Sequence, residues 1–523
     1  MATAFAVLIP FFFLGEPSGH DFEFHLNSWM EVLGQWKQGI IYPRWAALAH
    51  YGYGEARFLF YPPVSWILGA GLGAILPWMI APAAYIWLTL TAAGCAMFLL
   101  ARRWLDPRGA IFAAALYAAN PYHLVIVYWR SAFAELLAGV LLPLLVLFVL
   151  RAEEEGHKVI FPLSLIVAAA WLTNAPAAVM LNYSLALLAV AVAIQRRSPR
   201  VLLWCGMAAV IGVALAAFYV LPAAYEEKWV DISQVLAFGV RPQDNFLFTL
   251  INDPEHNVFN LLLSAVASAE MIVLAGAALL SGSWRRRAPL LWWSVVLWSA
   301  AAALLMFSST RPAWDYLPEL RFIQLPWRWL LCCNVAFALL VAMACRRWFS
   351  RLLLCLAMLA VLAFGWQRLQ PPWWDNAADV QEMQNNVQEG SGYEGTDEYV
   401  PLGADPYEIQ RDATFVSFQG KGPAQIRVQQ WAPESRRFTA DTPAAGKLTL
   451  RLFNFPAWRV EVNGHPVVTE SREVTGEMMI PVQAGESRVQ IKFVRTPDRT
   501  AGAIASLLTL ALMMGWVLVE RRL

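Results

Sequence analysis

Apolar residues along this chain gather into blocks of near-bilayer length, separated by short polar turns and a few longer polar loops. The blocks fall at about 1–14, 62–78, 80–101, 109–127, 132–151, 158–173, 176–195, 200–221, 258–281, 288–307, 328–345, 350–367 and 500–518. A helix needs about 20 apolar residues to cross a hydrocarbon core, so the pattern predicts a polytopic α-helical membrane protein. From about residue 410 the period changes to two. Lys447–Phe453, Trp458–Val462 and Arg488–Val494 alternate apolar and polar positions, which predicts half-buried strands. Asn463-Gly464 predicts a hairpin turn, and the whole a small β-sandwich-like domain. Between the two patterns, residues 370–395 are rich in Gln, Asn, Glu and Gly and read as an irregular connector.

Charge gives the blocks a direction. Arg102/Arg103/Arg108, Arg151/Lys158, Arg196/Arg197/Arg200, Arg285/Arg286/Arg287, Arg346/Arg347/Arg351 and Arg521/Arg522 follow successive blocks. The positive-inside rule assigns all of them to the cytoplasm. Two blocks lie between each successive pair of clusters, as a return to one side requires. The exception is block 62–78, which opens on Tyr61-Pro62-Pro63, carries Gly69, Gly71 and Gly73, and ends on Pro77-Trp78. It reads as a helix lying at the interface. Without it, about twelve spans remain, with both termini cytoplasmic. Loop 15–61, the turn near 128–132, the turn Thr173–Pro176, loops 222–257 and 308–327, and region 368–499 then share the outer face. The expected division is a membrane domain over 1–367, an extracytoplasmic β-rich domain over 368–499 and a C-terminal membrane helix over 500–523. No basic residue precedes the run Ala2–Leu14 and no small-residue cleavage site follows it, so it reads as a first membrane helix.

Composition agrees: 59% of residues are hydrophobic, 15% are charged, and mean hydropathy is +0.48. A net charge of +1 supplies no basic field for nucleic acid. All six cysteines lie inside apolar blocks, so they read as packing residues and not as a disulfide framework.

Candidate chemistry collects on the expected outer face. His20, Asp21, Glu23 and His25 follow the first apolar block directly. A carboxylate at the membrane surface, Asp21 first and Glu23 second, suits a general base, because partial desolvation raises its basicity. His20 and His25 are substrate contacts, or, with Asp21, a divalent-metal set, since His-x4-His shares one helical face. Polar residues are also ordinary at a helix exit. Arg130 and Glu135 lie at or below the interface, where ionisable residues are costly and face polar cavities or pair across the bundle. Arg321, Gln324 and Arg328 lie among aromatics on the expected outer side, against the positive-inside rule. The two arginines share a face if the stretch is helical, and a guanidinium fork suits phosphate. Tyr42-Pro43-Arg44-Trp45 and Phe58–Pro63, including Tyr61, either stack on a sugar or fix the loop. Asn174 lies in a further turn on the same face. There is no Walker loop, dinucleotide-binding glycine fingerprint or Gly-x-Ser-x-Gly elbow.

Gly19-His20-Asp21, His25-Leu26, Tyr42–Trp45, Tyr61-Pro62-Pro63, Arg130 with Ala134-Glu135, and Gln324–Arg328 together resemble the membrane proteins labelled 6-pyruvoyl-tetrahydropterin synthase-related. That group is similar to GT-C glycosyltransferases, including protein O-mannosyltransferases and aminoarabinose transferases, and no soluble pterin-enzyme domain is present. The resemblance implies a polyprenyl-phosphate-linked sugar donor used on the outer face. It also implies an acidic base in the first outer loop, matched by Asp21, and juxtamembrane helices in that loop. Two departures stand out: His-Asp replaces a paired-acid motif, and the second outer turn carries Arg130 and Glu135 in place of an Asp.

The expected activity is inverting glycosyl transfer at the cell (inner) membrane, with Asp21, Glu135 and Glu23 as catalytic candidates. The partners would be a polyprenyl-phosphate sugar, membrane lipid and a glycan, lipid or protein acceptor. No cofactor is specified, and a divalent metal stays open. The alternatives are a lipid-linked sugar transporter or flippase, which calls for pseudo-symmetric halves with broken mid-membrane helices, and a non-catalytic glycan-binding scaffold.

Overall fold

The computed structural model describes residues 1–368 and 373–520. Among these, seven helices are long and apolar enough to cross a membrane, and nine if each of two bent pairs counts as one span. They are Ala81–Ala101, Pro107–Arg130, Phe133–Thr173, Ala175–Arg196, Pro254–Leu280, Pro326–Ala344 and Pro497–Leu518, with the bent pairs Arg200–Leu215/Ala217–Trp229 and Pro289–Leu305/Ser308–Tyr316. The higher sequence count comes from three places. Phe133–Thr173 counts once although Gly156, at φ 61°, interrupts it. Ala2–Leu14 is broken between Val7 and Phe11, where Pro10 lacks a backbone N–H, and the 21-residue helix Trp348–Arg368 is not counted among the nine. Block 62–78 forms only the helix Pro63–Gly73, far too short to span.

The basic clusters gather at one end of the bundle. There Arg103 pairs with Glu154, Arg196 pairs with Glu153 at 2.9 Å, and Arg346 lies over Trp284. Arg521 and Arg522 lie outside the described residues. Polar loops gather at the other end, under the β-rich region.

That region is two antiparallel sheets. One orders Val416–Gln419, Gly446–Phe453, Glu477–Val482 and Glu470–Ser471; the other orders Gln425–Ala432, Ser435–Thr442, Gly485–Phe493, Trp458–Val462 and His465–Val467. The alternating positions become the core between them: Leu448, Leu450, Leu452, Val489 and Ile491 are buried. Asn463 and Gly464 take φ of 51° and 80°, the pair of left-handed residues a tight hairpin requires, and His465 pairs with Val462. Trp45 from the first polar loop packs edge-on against Trp458 at 5.5 Å and beside Phe455 and Phe493, fastening the sheets to the bundle.

The connector is not irregular, as its composition suggested. Ala377–Glu389 is a helix with a reciprocal capping box between Asn376 and Asp379. Val380, Met383 and Val387 form a narrow apolar stripe that packs onto the membrane core. Trp374–Asp375 pairs with Glu16–Pro17 in a two-stranded ladder, so the start of region 368–499 is part of the first loop's structure.

Candidate functional site

Phe22–Lys37 is a helix, and Asp21 stands at its N-cap. Three contacts bolt the preceding turn to the second polar turn. The Asp21 N–H donates to Arg130 O at 2.9 Å, the Gly19 N–H to Ser131 Oγ at 3.0 Å, and Ser131 Oγ–H to Pro17 O at 2.7 Å. Only glycine fits at residue 19: a Cβ there would lie 2.6 Å from Arg130 C and 2.7 Å from Ser131 N. The partner turn is unusual too. Ile126–Arg130 is one wide π-helical turn, and Ser131 then adopts a left-handed conformation at φ 50°. This break turns Arg130 back toward Glu135, which sits in the first turn of the next helix.

Glu135 is the centre of the cluster. Its Oε1 accepts from the Tyr122 hydroxyl at 2.5 Å, and its Oε2 accepts from Arg130 Nη1 and, at 3.1 Å, from Arg328 Nε. Arg130 and Glu135 are almost wholly buried, and Arg328 is 8% exposed. The outer guanidinium nitrogen of Arg130 lies 4.0 Å from Asp21 Oδ2, and its Cζ lies 4.9 Å from the Trp327 ring centroid. The Asp21 side chain is 41% exposed and so is open to solvent. Arg328 also donates to Ile323 O at 2.6 Å and Gln324 Oε1 at 3.1 Å, while Gln324 donates to Val235 O at 2.7 Å. Two guanidiniums thus share one carboxylate, which leaves the buried triad with a surplus of one positive charge directly beneath Asp21.

Asp21, Arg130, Glu135, Gln324 and Arg328 are therefore brought together. Arg321 is not among them. The stretch is two short 3-10 turns, Leu320–Ile323 and Pro326–Trp329, split at Gln324, whose φ is 64°. The helical face that would have aligned the arginines does not form, and Arg321 lies exposed over Phe322. His25 is buried one turn along from Asp21, with its ring 5.2 Å from Phe133 and 5.8 Å from Tyr61, and its Nε2 has no hydrogen-bond partner. Burial pushes its pKa down to about 4, so it is neutral near pH 7. Tyr61 is half-buried against Phe24 and His25. The His20 ring packs 5.0 Å from Phe259, and burial and the Arg130 charge lower its pKa while Asp21 opposes them. Glu23 is exposed and, among the described residues, makes no ion pair. Asn174 caps the helix Ala175–Arg196, accepting from the Ala177 N–H at 2.9 Å, and among the described residues no hydrogen bond joins it to the cluster. Among the described residues no group of three His, Cys, Asp or Glu side chains is placed to hold a metal ion.

A second buried network supports the first. Glu55 accepts from Arg57 and from the Thr396 N–H at 2.8 Å, and lies 2.9 Å from His50 Nε2. Burial alone would raise its pKa, but Arg57, His50 and the Thr396 N–H together hold it at about 2. Arg57 donates on to Ser28 Oγ at 2.8 Å, and Tyr393 O–H donates to Glu31 at 2.6 Å. Ser28 and Glu31 lie on the helix that Asp21 caps, so this network fixes where that helix points. Its members, like Tyr122, are scattered through the chain without any spacing that would have marked them. Arg57 and Glu55 sit in a polar loop where charged residues ordinarily face water.

No curated protein matches the chain. A family model described as the 6-pyruvoyl-tetrahydropterin synthase related domain, a membrane protein, matches residues 58–369. That stretch contains Arg130, Glu135 and Arg328, while Asp21 precedes it and the two sheets follow it. The match covers more than half of the sequence and agrees with the resemblance read from the short motifs, so the chain belongs to the 6-pyruvoyl-tetrahydropterin synthase related family of membrane proteins.

Proposed function

We propose that the protein is an inverting glycosyltransferase that uses a polyprenyl-phosphate-linked sugar on the outer face of the cell membrane. In this reading the bundle crosses the membrane about twelve times, both termini are cytoplasmic and the two sheets are extracytoplasmic. The observation that carries it is the solvent-open Asp21 carboxylate poised above a buried Arg130–Glu135–Arg328 triad with a surplus positive charge. A donor phosphate would compete with Asp21 for the outer face of Arg130, and the exposed Asp21 carboxylate would then meet an acceptor hydroxyl. The hydroxyl proton passes to Asp21, and the oxygen attacks the anomeric carbon from the face opposite the phosphate. The bond from that carbon to the phosphate oxygen breaks, and the polyprenyl phosphate leaves with the electron pair. Charge grows on the leaving phosphate, and fixed guanidiniums act most strongly on charge that develops during the step. Arg130 is the guanidinium nearest Asp21; Arg328 holds Glu135 and Gln324 in place.

The test is transfer of radiolabel from a panel of polyprenyl-phosphate sugars by purified protein in nanodiscs. Asp21→Asn is expected to lower the rate by about 10²–10⁴, the ordinary contribution of a general base. Undiminished transfer by this variant rejects the assignment.

A second reading, transport of a lipid-linked sugar, is favoured by one observation. Glu270 is buried within the span Pro254–Leu280, where an ionisable group commonly marks a transport path. With its amide nitrogen turned toward it, Asn334 donates to both oxygens of the Glu270 carboxylate, at 3.2 Å to Oε2. Movement of labelled lipid across proteoliposomes that is lost in Glu270→Gln, without any glycosyl product, would select this reading.

A further inference from the structure

A second basic cavity lies apart from the Asp21 site, where three distant segments meet. It encloses roughly 200 Å³. Tyr42 and Arg44 come from the first polar loop, Phe218 and Tyr219 from the bent helix Ala217–Glu226, and Arg495 and Arg499 from the crossing into the last helix. The three arginines are not equivalent. Arg499 is buried and held by Glu226 through two bonds of 2.6 Å. Arg495 is exposed and donates one bond to Arg499 O at 3.3 Å. Arg44 is half-buried and, among the described residues, makes no hydrogen bond or ion pair; Glu434 lies in its field but not within ion-pair distance. Two guanidiniums with spare donors thus face a cavity whose other walls are aromatic and aliphatic. Guanidinium forks suit phosphate oxygens.

The walls continue onto surface that faces lipid. Leu221, Tyr225, Ile504, Leu507 and Leu508, next along the same two helices, are exposed large apolar residues. Only 17% of the apolar window of Pro497–Leu518 is buried in the protein. A cavity with cationic donors on its inner wall and acyl-compatible surface beside it matches a phospholipid: head inside, chains along the helices. We propose that Arg44 and Arg495 bind the phosphate of a membrane phospholipid here, joining the first polar loop to the last helix through a lipid. This site does not depend on the glycosyltransferase reading.

The test uses the full chain, reconstituted in equal phosphatidylglycerol and phosphatidylcholine and then released into detergent for native mass spectrometry. Arg44→Gln, Arg495→Gln and the double variant are compared with wild type, with Arg287→Gln at the far end as control. The double variant is expected to lose phosphatidylglycerol occupancy by about tenfold, the scale of one lost charge-assisted contact set, with a smaller loss of phosphatidylcholine, whose phosphate is offset by its own ammonium. A parallel dialysis with labelled inorganic phosphate separates the sources. Phosphate held by wild type and lost in the double variant, without any difference in lipid adducts, would assign the cavity to a free anion and overturn the lipid. Equal phosphatidylglycerol occupancy in all variants overturns the proposal outright. Arg495→Gln decides the matter if the double variant fails to fold, because Arg495 is exposed and supports only one carbonyl contact.

Discussion

Glu135→Gln is the sharpest perturbation of the buried triad, because it changes one charge and almost no volume. In the wild type two guanidiniums and one carboxylate are buried together, and Glu135 accepts from both arginines. The variant leaves two like charges without a buried anion, with only the exposed Asp21 carboxylate 4.0 Å from Arg130, and its amide turns donors toward donors. Breaking a buried pair in this way costs about 3–5 kcal/mol. Arg328→Met alone keeps the Arg130–Glu135 pair and loses the bonds to Ile323 O and Gln324, about 1 kcal/mol each. The double variant restores the wild-type balance of one excess cation, so its loss is expected to fall at least about 2 kcal/mol short of the sum of the singles. Thermal unfolding followed by a thiol-reactive dye suits this chain. Cys205, Cys332 and Cys333 are buried in membrane helices, and no cysteine lies in the two sheets, so the signal reports the bundle alone. Glu135→Gln should lower the midpoint by roughly 3–6 °C on the entropy scaling for a bundle of this size. Strict additivity of the two substitutions, or a Glu135→Gln midpoint equal to wild type, would refute the coupling.

Three further outcomes follow from the geometry. Gly19→Ala would drive a Cβ into the Arg130–Ser131 backbone, so it should move Asp21 away from Arg130 and abolish radiolabel transfer while leaving donor lipid binding measurable. Glu16 is buried, and its pKa is pushed to about 8 by burial and, in addition, by Asp375 opposite it in the ladder. A raised carboxyl pKa means that the unfolded chain ionises first. The protein should therefore lose stability as pH rises from about 4.5 to 8, and Glu16→Gln should be more stable by up to about 5 kcal/mol above pH 8 and neutral at pH 4, by thiol-dye melts across pH. Glu55 has the opposite sign: its stabilisation is complete above about pH 4.5 and is lost as pH falls toward 2, and Glu55→Gln should cost about 3–5 kcal/mol at pH 7 because Arg57 is left buried without its anion.

Much of this architecture was readable where a local rule decides structure. Lys447–Phe453 alternates because one side of it is core, and Asn463-Gly464 turns because both residues tolerate a positive φ. Glu135 announced a partner across the bundle simply by being a carboxylate in an apolar block, and Arg328 is that partner. What the sequence hid is tertiary. Nothing local says that Gln324 takes a positive φ, and that one dihedral sends Arg321 outward and Arg328 inward. Glu31, Glu55, Arg57 and Tyr393 have no common period, so only the fold makes them neighbours. The helix Ala377–Glu389 escaped notice because three apolar residues in a polar run carry its whole buried face.

The ladder between Glu16–Pro17 and Trp374–Asp375, with Tyr393 on Glu31 and Thr396 on Glu55, has a meaning for biogenesis. The first loop leaves the ribosome early, yet its bracing partners emerge 341 to 362 residues later. Until then, among the described residues, Glu31 lacks one of its four donors and Glu55 two of its four, and the helix behind Asp21 is held only by the contacts of the first two loops. The bundle can insert span by span, but the site is closed only by the chain's final third. A chain halted before residue 373 would be inserted and yet inert.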